Sequence, residues 1–176
     1  MIKLKDILYE IGDGSSKAFP WEHHEDHPAA DSQDFAYTFK TDKGDYYVSF
    51  TLSGDNEWDL AFGPLGSNSS NWGIDVNYGV VTGVGAFKVM ATIVEIVKDF
   101  LDYTYKAYID DKNLFGETEP KKISFNTKKE EGRSADEDSR RSNLYKAYIK
   151  KQLPGARVER QSFGSRGDDF YVIHLP

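Results

Sequence analysis

Two glycines stand immediately before the most apolar helical stretch of the chain. Gly83 and Gly85 lie in the run 82–88, and the apolar stretch follows over 89–101. Glycines let backbone N–H groups approach a ligand closely, and a helix N-terminus carries a partial positive charge. The pattern therefore indicates either a phosphate-binding turn or a tight entry into a core helix. The phosphate-binding alternative would use Gly83, Val84, Gly85, Ala86 and the cation of Lys88.

A second cluster of chemically active residue types contains His23, His24, Glu25, Asp26 and His27. These types bind transition metals. His23 and His27 would share a face only in a helix, and Pro20 and Pro28 on either side disfavour one. A solvated acidic loop is therefore favoured over a metal site, and no metal is expected.

Basic residues are concentrated at Lys128, Lys129, Arg133, Arg140 and Arg141. Five acidic residues lie among them, so a solvated face is favoured over a site for phosphate or for an acidic partner. The chain has no Gly-x-Ser-x-Gly elbow, Walker loop or His-Glu-x-x-His motif. Serine-hydrolase, NTPase and zinc-protease functions therefore have no support from motifs.

The composition indicates one aromatic-rich domain over residues 1–176. Hydrophobic residues make up 39% of the chain and aromatic residues 14%, which is enough for a sizeable core. The net charge of -7 argues against general nucleic-acid binding, and the absence of Cys excludes disulfides and thiolate metal sites. Because no apolar stretch approaches the roughly 20 residues of a membrane span, and no signal peptide is recognisable, a cytoplasmic protein without membrane contact is expected.

The N-terminal half of the sequence predicts a helix followed by a loop and an antiparallel meander. Helical spacing over 2–11 indicates a short amphipathic helix, and 12–33 has no periodicity and indicates a loop. Apolar residues then alternate over 35–39, 46–52 and 58–62, with turn signals at 42–44 and 53–56. This alternation predicts three antiparallel strands, and a further short strand is predicted at 72–76.

The C-terminal half predicts a long helix, a strand, a second helix and a hairpin. The long helix begins near Gly85, and the residues expected to be buried on it are Phe87, Met90, Ile93, Val94, Val97 and Leu101. Residues 107–120 are predicted to be irregular, 123–126 to form a strand and 128–137 to be a charged segment. A second helix should start at Asp138 or Ser139 and end at Leu153, before a hairpin formed by 158–161 and 170–175. The predicted fold is α+β with a mixed, mostly antiparallel sheet.

This element order resembles the GNAT acetyltransferase fold over residues 34–176, with 1–33 as an N-terminal helix and loop. In that family the turn before the central helix binds the pyrophosphate of coenzyme A, and Gly83-Val84-Gly85 matches this turn. The family's later helix carries a Leu-Tyr pair whose Tyr acts as general acid. Leu144-Tyr145 resembles this pair, so Tyr145 is implied as the donor to the leaving thiolate; packing on a half-buried helix face is its alternative role.

A more local resemblance connects the chain to uncharacterised proteins of tailed bacteriophages. It is carried by the segment 12–21, by the Thr-Gly-x-Gly…Lys-Val-Met-Ala-Thr run and by Ser139-Arg140…Leu144-Tyr145. The resemblance implies a viral protein that acts in a bacterial host and that has a host or viral protein as a partner.

Two functional hypotheses follow from these resemblances. The first is a GNAT-like domain that binds acetyl-CoA or another acyl-CoA, either as an N-acyltransferase or as a degenerate binder. The second is a non-enzymatic viral accessory protein that uses the same fold for protein interaction. An open, polar cleft at Gly83–Gly85 would favour the first hypothesis, and a cleft filled by Phe87, Trp72 or Tyr78 would favour the second. The most informative observation would be a separation between the strand that precedes Gly83 and the strand at Ile123.

Overall fold

The computed structural model describes residues 17–24, 34–54, 56–65, 86–110, 120–127, 146–147, 149–162 and 169–176. In chain order, the elements are β1 (Trp21–His24), β2 (Asp34–Thr41), β3 (Gly44–Gly54), β4 (Glu57–Pro64), α1 (Ala86–Asp110), β5 (Lys122–Thr127), a second helical segment at 146–147 and 149–152, β6 (Arg157–Ser162) and β7 (Asp169–His174).

The strands of the described residues form one sheet in the order β1-β2-β3-β4-β5-β7-β6. Neighbouring strands are antiparallel with one exception, since β4 and β5 are parallel. A parallel pair needs a crossover connection, and α1 lies in the connection between these two strands. The predicted α+β class, the mostly antiparallel sheet, the meander and the C-terminal hairpin are confirmed.

The meander forms because its apolar residues alternate with a period of two. Phe35 pairs with Phe50, and Tyr37 pairs with Val48, so these four side chains share one face of the sheet. Asp42 and Lys43 make the connecting turn, after which Gly44 has a φ of 128°. Few residues other than glycine adopt that backbone conformation, which explains why glycine follows the turn.

The core lies between this face of the sheet and α1. Phe100 of α1 is fully buried, and its ring stacks on Phe50 with the centroids 3.9 Å apart. Trp58 and Phe35 contact the same ring edge-on at 5.1 Å and 5.3 Å. Offset and edge-on ring contacts add to the free energy gained by burial, so this cluster fixes how α1 sits on the meander.

Helix α1 is longer and more deeply buried than its sequence predicts. It continues to Asp110, so the prediction of irregular structure is wrong for 107–110. Met90, Ile93, Val94 and Val97 are buried as predicted and Leu101 is half-buried, whereas the side chain of Phe87 lies outside the described residues. Further residues of α1 are also buried, namely Val89, Ala91, Thr92, Ile96, Phe100 and Thr104.

The extra burial arises because α1 is covered on more than one side. The backbone N–H of Phe19 donates to the Thr92 hydroxyl at 2.8 Å, which brings the segment before β1 onto the helix. Lys98 donates to the Gln152 side chain at 3.2 Å, which brings the second helical segment close to α1. A simple two-layer pattern of one buried and one wet face therefore does not describe α1.

Strand β1 corrects the prediction that all of 12–33 is loop. Its four residues pair with β2 in the register Trp21↔Phe39 to His24↔Ala36. Trp21 packs edge-on against Tyr37 at 5.7 Å, so the strand contributes to the core on its apolar side. Among the described strands β1 is at the edge of the sheet with one neighbour, a position where a proline such as Pro20 is tolerated because ladder hydrogen bonds are needed on one side only.

Several sequence predictions fall outside the described residues. These are the helix at 2–11, the strand at 72–76, the charged segment at 128–137 and the start of the second helix at Asp138 or Ser139. The described end of that second helix, at 149–152, agrees with the predicted end at Leu153. In the part of the chain that the structure describes, no helix is long and apolar enough to cross a membrane.

Candidate functional site

The parallel strands β4 and β5 are joined only at their first residues. The paired positions are Glu57↔Lys122, Trp58↔Ile123 and Asp59↔Ser124. β4 continues to Pro64 and β5 to Thr127, and no further pair joins them among the described residues. The two strands therefore separate after Asp59 and Ser124. β4 is the last described strand before Gly83. Residues 66–85, which include the predicted strand at 72–76 and the glycine run, lie outside the described residues, so the open cleft expected at Gly83–Gly85 stays a prediction.

A cleft of about 320 Å³ lies where the strands separate. Its volume is at the lower end of the range that is typical of small-molecule sites, roughly 300–1,000 Å³. The polar lining consists of Thr51, Asp59 and Ser124, and the apolar lining consists of Leu60, Ala61, Phe62, Phe125 and Phe170. A cleft of this size and mixed lining suits an extended ligand with both amide and apolar groups.

Asp59 and Ser124 form the closed end of the cleft. They are the last paired residues of β4 and β5, and the Ser124 hydroxyl donates a hydrogen bond to the Asp59 carboxylate. Ser124 is fully buried and Asp59 is exposed. A buried donor to a carboxylate restricts where that carboxylate points, so one charged group is held at the end of the cleft.

Alternation along β4 and β5 assigns this pair to one face of the sheet. Trp58 and Ile123 pair on the face that packs against α1 and are buried in the core. Asp59 and Ser124 are the next residues of their strands, so they lie on the opposite face. The cleft thus combines the sheet edge, where β4 and β5 separate, with the face of the sheet away from α1.

The first described residue of α1 follows directly after the glycine run. The helix begins at Ala86, as predicted, and its first turn contains no acidic residue. Its N-terminus is therefore compatible with an anionic ligand in its electrostatics. Gly83, Val84 and Gly85, which would form the phosphate-binding turn, lie outside the described residues, and so does Tyr145.

The side-chain ammonium of Lys88 contacts an aromatic ring. Its ammonium lies 4.0 Å from the ring centroid of Phe19, which is a cation–π contact. The backbone carbonyl of Lys88 accepts a hydrogen bond from the Thr92 hydroxyl at 2.8 Å. An ammonium has three N–H donors, and those on the side away from the ring can still bind an anion, so the role of Lys88 in phosphate binding stays a prediction.

The two described histidines of the predicted cluster are on opposite sides of β1. His23 pairs with Tyr37 in register and stacks on its ring at 4.5 Å. His24 contacts the Thr38 hydroxyl through Nε2 at 2.7 Å. Successive residues of a strand face opposite ways, so these imidazoles cannot share a metal ion within one protomer. Among the described residues no cluster of metal-binding side chains is present.

The sequence analysis missed the cleft residues Asp59, Ser124 and Thr51. Each looks like an ordinary polar residue on the wet face of a strand, and only the pairing of β4 with β5 brings Asp59 and Ser124 together. That pairing joins positions more than sixty residues apart. The local sequence offers no signal, because Ser124 occupies an ordinary polar position in the alternating run Lys122–Thr127.

Comparisons with known proteins add no functional information. No protein-family model, no curated protein and no solved structure matches the chain. The functional argument therefore depends on the geometry of the site.

Proposed function

We propose that this chain binds an acyl-coenzyme A in the cleft between β4 and β5, as a GNAT-like domain. The observation that carries the proposal is the separation of these two strands after only three paired positions. Backbone groups at a strand edge that lacks a neighbour are available to a ligand that can pair with them. The pantetheine arm of coenzyme A is extended and contains two amides, so it has the required chemistry.

The direction of the strands supports a consistent placement of the whole ligand. β4 runs away from Asp59 toward Pro64, and the chain then continues to the glycine run and the start of α1 at Ala86. A ligand with its thioester near Asp59 would extend along β4 toward Pro64. In this proposal its pyrophosphate binds at the start of α1, which Gly83, Val84 and Gly85 precede in the sequence. The helix dipole of α1 favours an anion at that end.

A transferase on this scaffold would act by direct attack of an amine on the thioester. Backbone amides would polarise the thioester carbonyl, and Tyr145 would protonate the departing thiolate. Asp59, the charged residue among those that line the cleft, would orient the amine and accept the proton that its nitrogen loses as the C–N bond forms and the C–S bond breaks. Without a competent Tyr145 the same cleft would bind acyl-CoA and carry out no transfer.

The test is a calorimetric titration of the full chain with acetyl-CoA, with Gly85→Glu as the variant and Gly54→Glu as the control. Gly85→Glu adds a bulky negative side chain where the pyrophosphate is placed and should abolish binding. Gly54 has open space around its Cβ position and lies at the far end of β3, so the same added charge should leave binding unchanged. Equal affinities for the two variants would contradict the proposed position of the pyrophosphate.

The second candidate function is protein interaction by a non-enzymatic viral accessory protein. The edge of β4 beyond Asp59 that would receive pantetheine can also receive an extended polypeptide as an added strand. A titration with acetyl-CoA, followed by binding and by the unfolding temperature, distinguishes the two candidates. Acetyl-CoA that binds and shifts the unfolding temperature supports the first, because a ligand specific to the folded state stabilises it. Absence of both effects at millimolar acetyl-CoA leaves the second.

A further inference from the structure

A second cleft, separate from the proposed acyl-CoA site, lies at the C-terminal end of α1. It has a volume of about 310 Å³ and shares no lining residue with the cleft at β4 and β5. Its floor contains Leu101, Leu153 and Leu175, which are half-buried and pack against the core. Three proline rings complete the apolar part of the lining. The floor is thus an apolar surface that reaches solvent.

The rim of this cleft carries one charge and one large exposed ring. Tyr105 of α1 is 51% exposed, which makes it the most exposed large hydrophobic residue of the described chain. Asp102 lies one turn earlier on the same helix and is also exposed. No ion pair joins Asp102 to a basic side chain among the described residues. A carboxylate, a ring and proline surfaces are therefore arranged around one opening.

We propose that this cleft docks an arginine side chain of a partner polypeptide, followed in that polypeptide by an apolar residue. Guanidinium groups stack on aromatic rings and bind carboxylates through a planar pair of donors, which matches Tyr105 and Asp102. The apolar stem and the next residue would cover the leucines and prolines. The volume admits one or two side chains, which suits an anchor residue of a protein interface.

The net charge of the chain supports a basic partner. With a formal charge of -7, the surface attracts cationic segments at long range, and the cleft supplies the local contacts that select one side chain. The proposal does not depend on the acyl-CoA site, because the two clefts have no residue in common.

The test uses the full isotope-labelled chain and two dipeptide probes followed by amide chemical shifts. N-acetyl-arginyl-leucinamide should perturb the amides of Tyr105, Leu153 and Leu175. The citrulline counterpart, which has the same shape without the charge, should bind about threefold to fivefold more weakly, as expected for an exposed ion pair.

Two variants and one control separate the charge from the ring. Asp102→Asn should bring the arginine probe to the affinity of the citrulline probe, and Tyr105→Ala should weaken both probes. Asp45→Asn removes an exposed carboxylate at the start of β3 and should change neither affinity. Unchanged shifts far from the cleft would show that each variant is folded. Equal binding of the two probes, no effect of Asp102→Asn, or no perturbation at millimolar probe would overturn the proposal.

Discussion

The two sides of β4 differ in how completely they are paired. β4 pairs with β3 at eight positions, from Tyr46↔Pro64 to Gly54↔Glu57, with a single irregularity near Gly54. On its other side it pairs with β5 at three positions. The first junction is a continuous part of the sheet, and the second is a separation that leaves a cleft. Among the described residues this edge of β4 has no partner beyond Asp59, and an unpaired sheet edge is costly, so the junction is where a ligand or partner strand is expected.

The two faces of the sheet also differ, in the size of the buried apolar cluster that each carries. The face toward α1 is closed by rings and aliphatic side chains, with Phe50, Trp58 and Phe100 in mutual contact. The face with Asp59 and Ser124 carries a smaller buried cluster, made by Ala36 and Tyr47, and polar groups beside the cleft. We call it the open face because the cleft lies on it. The larger buried cluster lies on the closed face, so the stability of the fold should reside mainly there, and ligand binding on the open face. Substitutions on the two faces test this division.

The largest stability loss is expected for Met90→Asp on the closed face. Met90 is 6% exposed, and an aspartate there would bury a carboxylate without a partner, at a cost of about 3 to 5 kcal/mol. Lys98→Asp is the control on the same helix. It removes an ion pair with Glu95 and a hydrogen bond to Gln152, for a loss of about 1 kcal/mol or less. Urea unfolding measures both, and equal losses would refute the assigned faces of α1.

A smaller effect, confined to alkaline pH, is expected for Tyr37→Phe. Burial, together with the Asp99 carboxylate that accepts a hydrogen bond from the hydroxyl at 3.3 Å, raises the pKa of Tyr37 above its usual value. The folded state therefore keeps this proton at a pH where the unfolded chain loses it. The associated stability is present below about pH 10 and is lost as the pH rises above it.

Tyr37→Phe removes this titrating group from both states. Above pH 10 the free energy of unfolding of the variant should fall less steeply than that of the wild type, by up to about 1.4 kcal/mol per pH unit. Denaturant unfolding at several alkaline pH values measures the slope. Identical slopes would mean that Tyr37 is not protected from ionisation in the folded state.

On the open face, Ser124→Ala should cost about 1 kcal/mol. The substitution removes the hydroxyl that donates to Asp59, and the exposed carboxylate keeps its contact with water. Ser53→Ala is the matched control, because its hydroxyl donates to the Glu57 carbonyl at an exposed position. The control should change stability by less than about 0.5 kcal/mol. If both serines behave alike, the pair at the closed end of the cleft has no special role.

Ala61→Phe should cause the smallest change in stability and the largest change in binding of acetyl-CoA. Ala61 is half-buried and lines the cleft, so a ring can extend into open space with a loss of less than about 1 kcal/mol. The ring would occupy the place of the pantetheine arm, and binding of acetyl-CoA should be lost. Ser49 of β3 pairs with Ala61 of β4 but does not line the cleft, so Ser49→Phe should still bind acetyl-CoA.

Local patterns in the sequence predict the fold better than they predict the site. The meander, α1 and the hairpin follow from alternation, helical spacing and turn residues such as Gly44, all of which act over a few positions. Strand β1 was missed because Trp21–His24 is short, follows a proline and contains two histidines. It becomes a strand only because β2 offers an edge to it.

The cleft could not be predicted because it is made by contacts between distant parts of the chain. Asp59 and Ser124 have nothing in their local sequence that marks them as neighbours, and the end of pairing between β4 and β5 has no signature in either strand. The glycine run before α1 was recognisable because its signal, two glycines followed by an apolar helix, lies within consecutive residues. The helix does begin where that run predicts, at Ala86.

The measurement that tests the account most directly is an amide chemical-shift titration of the full chain with acetyl-CoA. The account predicts saturable shifts at Leu60–Gly63 of β4, at Phe125 of β5 and at the first residues of α1. β1 and the paired part of β2 should be unaffected, because they lie at the far side of the sheet. No shifts at millimolar acetyl-CoA, or shifts that leave β4 and β5 unchanged, would contradict the claim that the open junction is an acyl-CoA site.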